Sequence, residues 1–332
     1  MKAVWFEKFG PAAEVLQQGE LPTPEPAAGE VLIQLQSSGI NPSDVKKRAG
    51  SSPTLLDNGW VIPHSDGAGV ITAVGTGVSP DRIGQRVWVY QAQHGRNLGT
   101  AAEYLAIDQR RAALLPENTR MEEGACLGIP AMTAHRCVFA DGSVEGQSVL
   151  VTGGAGRVGF YAIQWAAQSG ARVIATASNE ADAEACKQAG AVAVVNHREA
   201  GWAQQAVRAN DGRKLDRAVD VDFGANLPAL LDLLRTSGTI ASYASMTNTE
   251  PRLPFYRMMY MDITVRLVLV YEMPESAKQA AIRDITQWLQ EGRLQHRVAH
   301  VLPLEQIAQA HGLIEQGKVR GCVVLGIPQE RG

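Results

Sequence analysis

Val149-Leu150-Val151-Thr152-Gly153-Gly154-Ala155-Gly156-Arg157-Val158-Gly159 sets Gly154, Gly156 and Gly159 in a G-x-G-x-x-G spacing between an apolar strand and an amphipathic helix over residues 160–167. Such a turn can hold a pyrophosphate. Gly154 makes the tight turn, Gly156 lets backbone amides approach the anion, and Gly159 lets the helix pack close to the sheet; Ala155, Arg157 and Val158 complete the cradle at the positive helix N-terminus. A second strand beginning near Arg172 supplies the context in which this spacing signifies a dinucleotide site. An NAD site carries an acid about 20 residues further on. Here the chain reads Thr176-Ala177-Ser178-Asn179, so NADPH is expected ahead of NADH. The Ser178 hydroxyl is the expected donor, and Arg198, beside His197 after the third strand, is the expected cation for a 2′-phosphate. Glu180, Asp182 and Glu184 nearby read as acids of a solvated helix start.

A second stretch, Ile62-Pro63-His64-Ser65-Asp66-Gly67-Ala68-Gly69, puts a histidine and an aspartate ahead of a glycine pair. A catalytic zinc needs about three N, S or O ligands and an open position. His64 offers one without companions and reads as a cleft or surface residue adjusting the turn. The four cysteines, Cys126, Cys137, Cys186 and Cys322, contain no C-x-x-C pair and read as buried thiols of a reducing compartment, the cytoplasm.

The elements that must position these residues fall into two textures. Up to about residue 120, short β-branched or alternating runs (residues 2–6, 31–36, 69–74, 86–90 and 102–106) are punctuated by Gly and Pro, which makes a mostly-β domain. From Met121 strands and helices alternate, with strands at 149–151, 172–177, 191–195, 218–221 and 239–243, the pattern of a doubly wound parallel sheet. A long apolar strand is expected at 263–270, at the sheet edge, where a two-fold partner would cover it. Helices at 276–290 and 304–316 and a strand at 321–325 close the chain. The expected division is 1–122, 123–272 and 273–332.

At 332 residues the chain exceeds one ordinary core. Its 45% hydrophobic and 20% charged residues are those of an ordered globular protein, and a net charge of −3 leaves no footprint for nucleic acid. The N-terminus lacks a signal-peptide core, and no window approaches about 18 apolar residues, so no membrane insertion is expected.

Six ordered segments carry a family resemblance over residues 1–327. They are Gly39-Ile40-Asn41-Pro42-Ser43-Asp44, Gly99-Thr100-Ala101-Ala102-Glu103-Tyr104, Gly128-Ile129-Pro130-Ala131-Met132-Thr133-Ala134, the glycine turn, Asn196-His197-Arg198-Glu199 and residues 304–311. Together they resemble the medium-chain dehydrogenase/reductase superfamily, and within it the zinc-independent quinone oxidoreductases that include zeta-crystallin. The resemblance implies an α/β fold with a Rossmann doubly wound parallel sheet plus a GroES-like mostly-β catalytic domain. It also implies a cofactor in the cleft between them, a homodimer through residues 263–270, and reduction of quinones or related α,β-unsaturated carbonyls by NADPH without metal. Carried over by position, Asn41 and Asp44 face the nicotinamide or substrate, Thr133 lies near the carboxamide, and Tyr243 with Leu267, Leu269 and Val270 lines the cofactor. From the residues alone, Asn41 before Pro42 could shape a turn, Asp44 could cap a helix and Tyr243 could be core.

Zinc-dependent relatives supply a cysteine from the 41–44 segment, a histidine before the acid of the glycine turn, and a cysteine at 128–129. Here those places hold no cysteine, and the register puts Ser65, not His64, in the histidine slot. The chain departs from its relatives at Arg157, where a glycine is common, at Asp182, near a usual lysine, and over 51–60, where relatives carry a tyrosine. The rival readings are an enone or alkenal reductase, and an NADPH-binding structural or regulatory protein without turnover.

Overall fold

The computed structural model describes residues 1–328 and divides into two units, Met1–Ile129 with the return from Ile282, and Pro130–Ala281.

The first unit runs β1 (Lys2–Trp5), α1 (Ala12–Val15), β2 (Gln17–Glu20), β3 (Glu30–Ile40), α2 (Pro42–Arg48), β4 (Asp66–Val74), β5 (Arg86–Val89), β6 (Tyr104–Asp108), β7 (Ala112–Leu114) and α3 (Met121–Gly124). In β3, Val31, Ile33 and Leu35 are buried and alternate with half-buried neighbours, the period-two pattern of a strand with one face on a core. From Ser37 to Ile40 the alternation stops because both faces are covered. A Cβ on Gly39 would lie 2.0 Å from the Ala125 carbonyl oxygen, so the chain after α3 belongs with this unit. That packing moves the division from 122/123 to 129/130.

The second unit holds α4 (Met132–Phe139), β8 (Ser148–Val151), α5 (Arg157–Gln168), β9 (Arg172–Ala177), α6 (Glu180–Gln188), β10 (Ala193–Asn196), α7 (Trp202–Ala209), β11 (Leu215–Asp220), α8 (Phe223–Leu233), β12 (Leu234–Ser242), α9 (Phe255–Tyr260) and β13 (Thr264–Leu267). Its sheet is parallel throughout, in the order β10-β9-β8-β11-β12-β13, which is the Rossmann order 3-2-1-4-5-6. β8 is buried along its whole length, as a central strand covered on both faces must be. β13 does lie at the edge, but it is shorter than residues 263–270. Its partner β12 ends at Ser242, so the Val268 N–H closes the ladder on Ser242 O and Val270–Glu272 turn into a 3₁₀ helix.

The second division falls inside α10 (Glu275–Gln290), between Ala281 and Ile282, instead of at 272/273. β14 (Val298–Pro303), α11 (Ile307–Glu315) and β15 (Cys322–Gly326) then complete the first unit, whose main sheet runs β14-β15-β3-β4-β5-β7 with β6 on β3. The helix expected over 304–316 begins as a 3₁₀ turn, Leu304–Gln306. All four cysteines are buried, and no helix among the described residues is long and apolar enough to cross a membrane.

Candidate active site

In the first unit the site starts from the register of β3 against β4, which sets Gly39 opposite Asp66. Asn41, two residues beyond, is the N-cap of α2, with Pro42 at the first helical position, where its missing N–H costs nothing. Asp44, in the first turn, turns back so that its Oδ2 accepts the Asn41 backbone N–H at 2.8 Å. The Asn41 side-chain N–H donates to Asp66 Oδ2 at 2.8 Å, and the Ile129 backbone N–H donates to the same oxygen at 2.8 Å. Ile129 can donate because residues Leu127–Ala131 form a π turn around Pro130, an irregularity frequent at functional sites.

Asn41, Asp44 and Asp66 are all buried. Burial pushes the Asp66 carboxyl up to about 8 against the pull of the Ile129 N–H, and pushes Asp44 up to about 6 against the attraction of Lys47. Lys47 is half-buried, its Nζ donates to Gln93 Oε1 at 3.0 Å, and burial lowers its pKa. The segments that carry zinc ligands in metal-dependent relatives thus converge on a carboxyl group. A Cβ on Gly128 would lie 2.1 Å from Asp66 Oδ1, so that position has no room for any side chain. Among the described residues no group of three or more His, Cys, Asp or Glu could hold a metal ion.

His64 is not at a cleft or on the surface: it is fully buried, with φ 78, in the left-handed region. Its Nδ1 lies 2.9 Å from Ser38 Oγ, Ser38 Oγ lies 2.7 Å from Thr100 Oγ1, and Thr100 donates to the Asp66 backbone carbonyl at 2.7 Å. A carbonyl only accepts, so each donor in the chain follows. Thr100 accepts from Ser38, and Ser38 accepts from His64 Nδ1–H; burial keeps both rings neutral, so His64 Nε2 accepts from His311 Nε2–H at 2.9 Å. Burial, then the neighbouring ring, holds His64 well below its ordinary pKa, and burial, then Arg48, lowers His311 to about 3. Gly67 and Gly69 serve close packing in this strand: added Cβ atoms would meet Thr100 Cγ2 at 2.9 Å and Gln34 O at 2.1 Å.

In the second unit the glycines divide their work differently from the expectation. Gly153, with φ 60, makes the left-handed turn that the G-x-G-x-x-G spacing leads one to expect at Gly154. Gly154 is needed for packing, because its Cβ would press on Cys186 Sγ at 2.8 Å and on Ala175 Cβ at 2.9 Å. A Cβ on Gly159 would lie 2.4 Å from Gly153 O, which fits its expected role in close packing. Gly156 is the N-cap of α5, where a Cβ would meet only Gly153 O at 3.1 Å. Ala155 is buried beside it, Arg157 and Val158 open α5, and no acid lies in that helix's first turn. The open space at a helix N-terminus with no acid fits an anionic phosphate.

Ser178 follows β9 half-buried, and His197 and Arg198 are exposed after the adjacent β10. Asp182 is not solvated: it is buried and tied to Asn179, whose side chain caps α6. Thr133 is buried in α4, while Tyr243 is half-buried and donates its N–H to Asp220 O. Leu267 and Leu269 are exposed, whereas Val270 is buried. The sequence reading missed Asp220, whose Oδ1 accepts from Thr152 Oγ1 and Asn226 Nδ2, each at 2.8 Å, and whose Oδ2 accepts from Ser242 Oγ at 3.2 Å, so it pins the ends of β8, β11 and β12. It also missed Asp66 and Lys47; the only local signal for Asp66 was an acid beside two glycines.

A Rossmann unit with this glycine cradle, joined in one chain to a mostly-β unit with a buried acid cluster, defines an NAD(P)H-dependent oxidoreductase. Residues 27–117 match the alcohol dehydrogenase GroES-like domain and residues 158–287 the zinc-binding dehydrogenase family. Human quinone oxidoreductase is 30% identical over 322 residues, 96% of this chain and 94% of the relative. Among solved structures, an NAD-dependent alcohol dehydrogenase is 30% identical with a TM-score of 0.89, covering 99% of this chain and 100% of that one. A mycobacterial protein complexed with NADPH is 27% identical with a TM-score of 0.86, covering 98% and 100%. The chain belongs to the medium-chain dehydrogenase/reductase superfamily, in its quinone oxidoreductase-like branch.

Proposed function

We propose that this enzyme uses NADPH to reduce quinones or closely related electron-poor carbonyls without a metal ion. The observation that carries the reading is the closure of Asn41 and Ile129 on the Asp66 carboxyl, in the segments where zinc-dependent relatives place their ligands. Asn41 and Ser65 do not make a zinc donor set, and the Gly128 position admits no side chain. Without a Lewis acid, a simple alkoxide loses its main electrostatic support. An acceptor that spreads its incoming charge over a conjugated system needs less. Bound NADPH supplies the hydride, and the protein positions the reactants and excludes water. The Gly156 cradle takes the pyrophosphate, Arg157 and Val158 lie beside it, and Thr133, Tyr243, Leu267, Leu269 and Val270 contact the rest of the cofactor. Ser178 and Arg198, with His197, favour the 2′-phosphate: β9 ends without an acid, Asp182 is buried and held by Asn179, and Glu180 is exposed in the first turn of α6. Asn41 orients the acceptor or the nicotinamide by hydrogen bonds, with Asp44 holding its backbone.

Parallel assays with a quinone and an enone, each with NADPH and NADH, test this at the nicotinamide absorbance. The quinone with NADPH should be turned over fastest. Asn41→Ala should lower kcat/KM for it by about 10²-fold, the scale of a misplaced reactant, and Arg198→Ala should raise the KM for NADPH while sparing NADH. Faster enone reduction would favour the C=C reductase, and no nicotinamide oxidation with any acceptor would favour a binding protein.

The outer edge of β13 also favours a second copy of the chain as partner. Leu267 at its end and Leu269 just beyond it stand exposed, as do Phe255, Tyr256 and Tyr260 on α9. Sedimentation should find a dimer, and Phe255→Asp, at a residue outside the cofactor contacts, should shift it toward monomer; a monomeric wild type at micromolar concentration would remove this part of the proposal.

A further inference from the structure

Asp66 has a role beyond shaping a turn. Two buried carboxyl groups, Asp44 and Asp66, are bridged by one residue, Asn41, and the cation acting on both is the single half-buried Lys47. The glycines at 39 and 128 packed against Asp66 carry no charge, Tyr90 beside Gly128 donates its hydroxyl to Arg110 O, and His64, two residues back along the chain, is held neutral by burial. One ammonium balances one carboxylate, and a second buried negative charge would stand without a partner. Asp66 Oδ2 accepts two N–H groups, while Oδ1 is buried with no N–H donor or cation bonded to it to stabilise a negative charge. We propose that Asp66 is a positioning residue that works as a neutral carboxylic acid, holding the Asn41 amide and the Ile129 N–H on one oxygen while keeping the site free of a second negative charge. This rests on the hydride-transfer reading: an acceptor that gains negative charge beside the cluster is disfavoured once Asp66 ionises, so turnover falls at alkaline pH. The raised Asp66 pKa places that fall near pH 8.

The test combines Asp66→Asn, Asp66→Ala and a titration that needs no turnover. Asp66→Ala should lower kcat/KM at least tenfold at every pH. Asp66→Asn, whose amide oxygen can still accept both N–H groups, should recover most of that loss near pH 6.5 and lack the alkaline fall. Without substrate, the Asp66 carboxyl should titrate near 8 by carbon-13 NMR. A carboxyl whose folded pKa lies above its unfolded one contributes stability below pH 3.8 that is lost as pH rises to about 8. Wild-type Tm should therefore decline relative to Asp66→Asn across that window and run parallel above it, with the contributions of His64 and His311 common to both proteins. An Asp66 carboxyl titrating near 4, or an alkaline fall that persists in Asp66→Asn, would overturn the proposal. If no acceptor is reduced, the hydride-transfer reading fails, while the NMR and Tm titrations still decide whether Asp66 holds its proton.

Discussion

Gly156→Asp should give a folded protein that has lost NADPH. Gly156 sits at φ −75 and ψ 174, ordinary extended backbone, and an added Cβ would meet only Gly153 O at 3.1 Å. Aspartate is moreover a preferred N-cap residue, better than glycine there by only about a few tenths of a kcal/mol, so Tm should hold or rise slightly. The same carboxylate would occupy the helix N-terminus with the charge of the phosphate it displaces. A loss of at least 100-fold in NADPH affinity is expected, about 2.8 kcal/mol, read by fluorescence titration alongside a thermal melt. Retained affinity in a folded variant would show that the cofactor does not use this cradle. Gly159 cannot serve the same test, because its Cβ would lie 2.4 Å from Gly153 O and 2.9 Å from Gly154 Cα, backbone atoms that have no rotamer to yield.

The second large effect is on stability. Arg217 on β11 is almost wholly buried; its guanidinium donates to Cys137 O at 2.9 Å and pairs with Asp141 at 3.1 Å. Asp141, just after α4, also pairs with Arg266 of β13, whose hydrogen bond holds the Asp141 carboxyl below its usual pKa. One carboxylate thus ties the end of α4 to two strands. Asp141→Ala leaves the Arg217 charge buried without a counter-ion, which costs about 3–5 kcal/mol and lowers Tm by roughly 10 °C. Adding Arg217→Met should recover part of the loss, because it removes the stranded charge. A lowered carboxylate pKa contributes stability above the unfolded value that is lost as pH falls through the folded one, so the gap between wild type and Asp141→Ala should close in acid. A Tm within a degree of wild type at neutral pH would refute the argument.

Much of the fold was legible because its signals are local. The residues 172–177 read as a strand match β9 end to end, and the alternation of Val31, Ile33 and Leu35 located β3. The expected strand at 263–270 overran because apolar residues continue beyond the last partner in β12. Three short strands carried too little pattern to be found. β2 is Gln-Gln-Gly-Glu, β7 has three residues, and β14, an edge strand exposed over most of its length, shows no buried stripe.

By itself the sequence determined the strand–turn–helix around Gly154, Gly156 and Gly159, the parallel order that follows from alternating strands and helices, and the lack of zinc-ligand residue types at the places where relatives carry them. Those depend on periods and turn chemistry that act within a few residues. Only the tertiary structure decided that Gly153 bends the turn, that His64 is buried and neutral, and that Asp66 joins Asn41 across 25 residues of chain. Register between β3 and β4 brings those groups together. Whether a carboxyl keeps its proton is then set by burial and by the charges that packing places around it, none of which its sequence neighbours record.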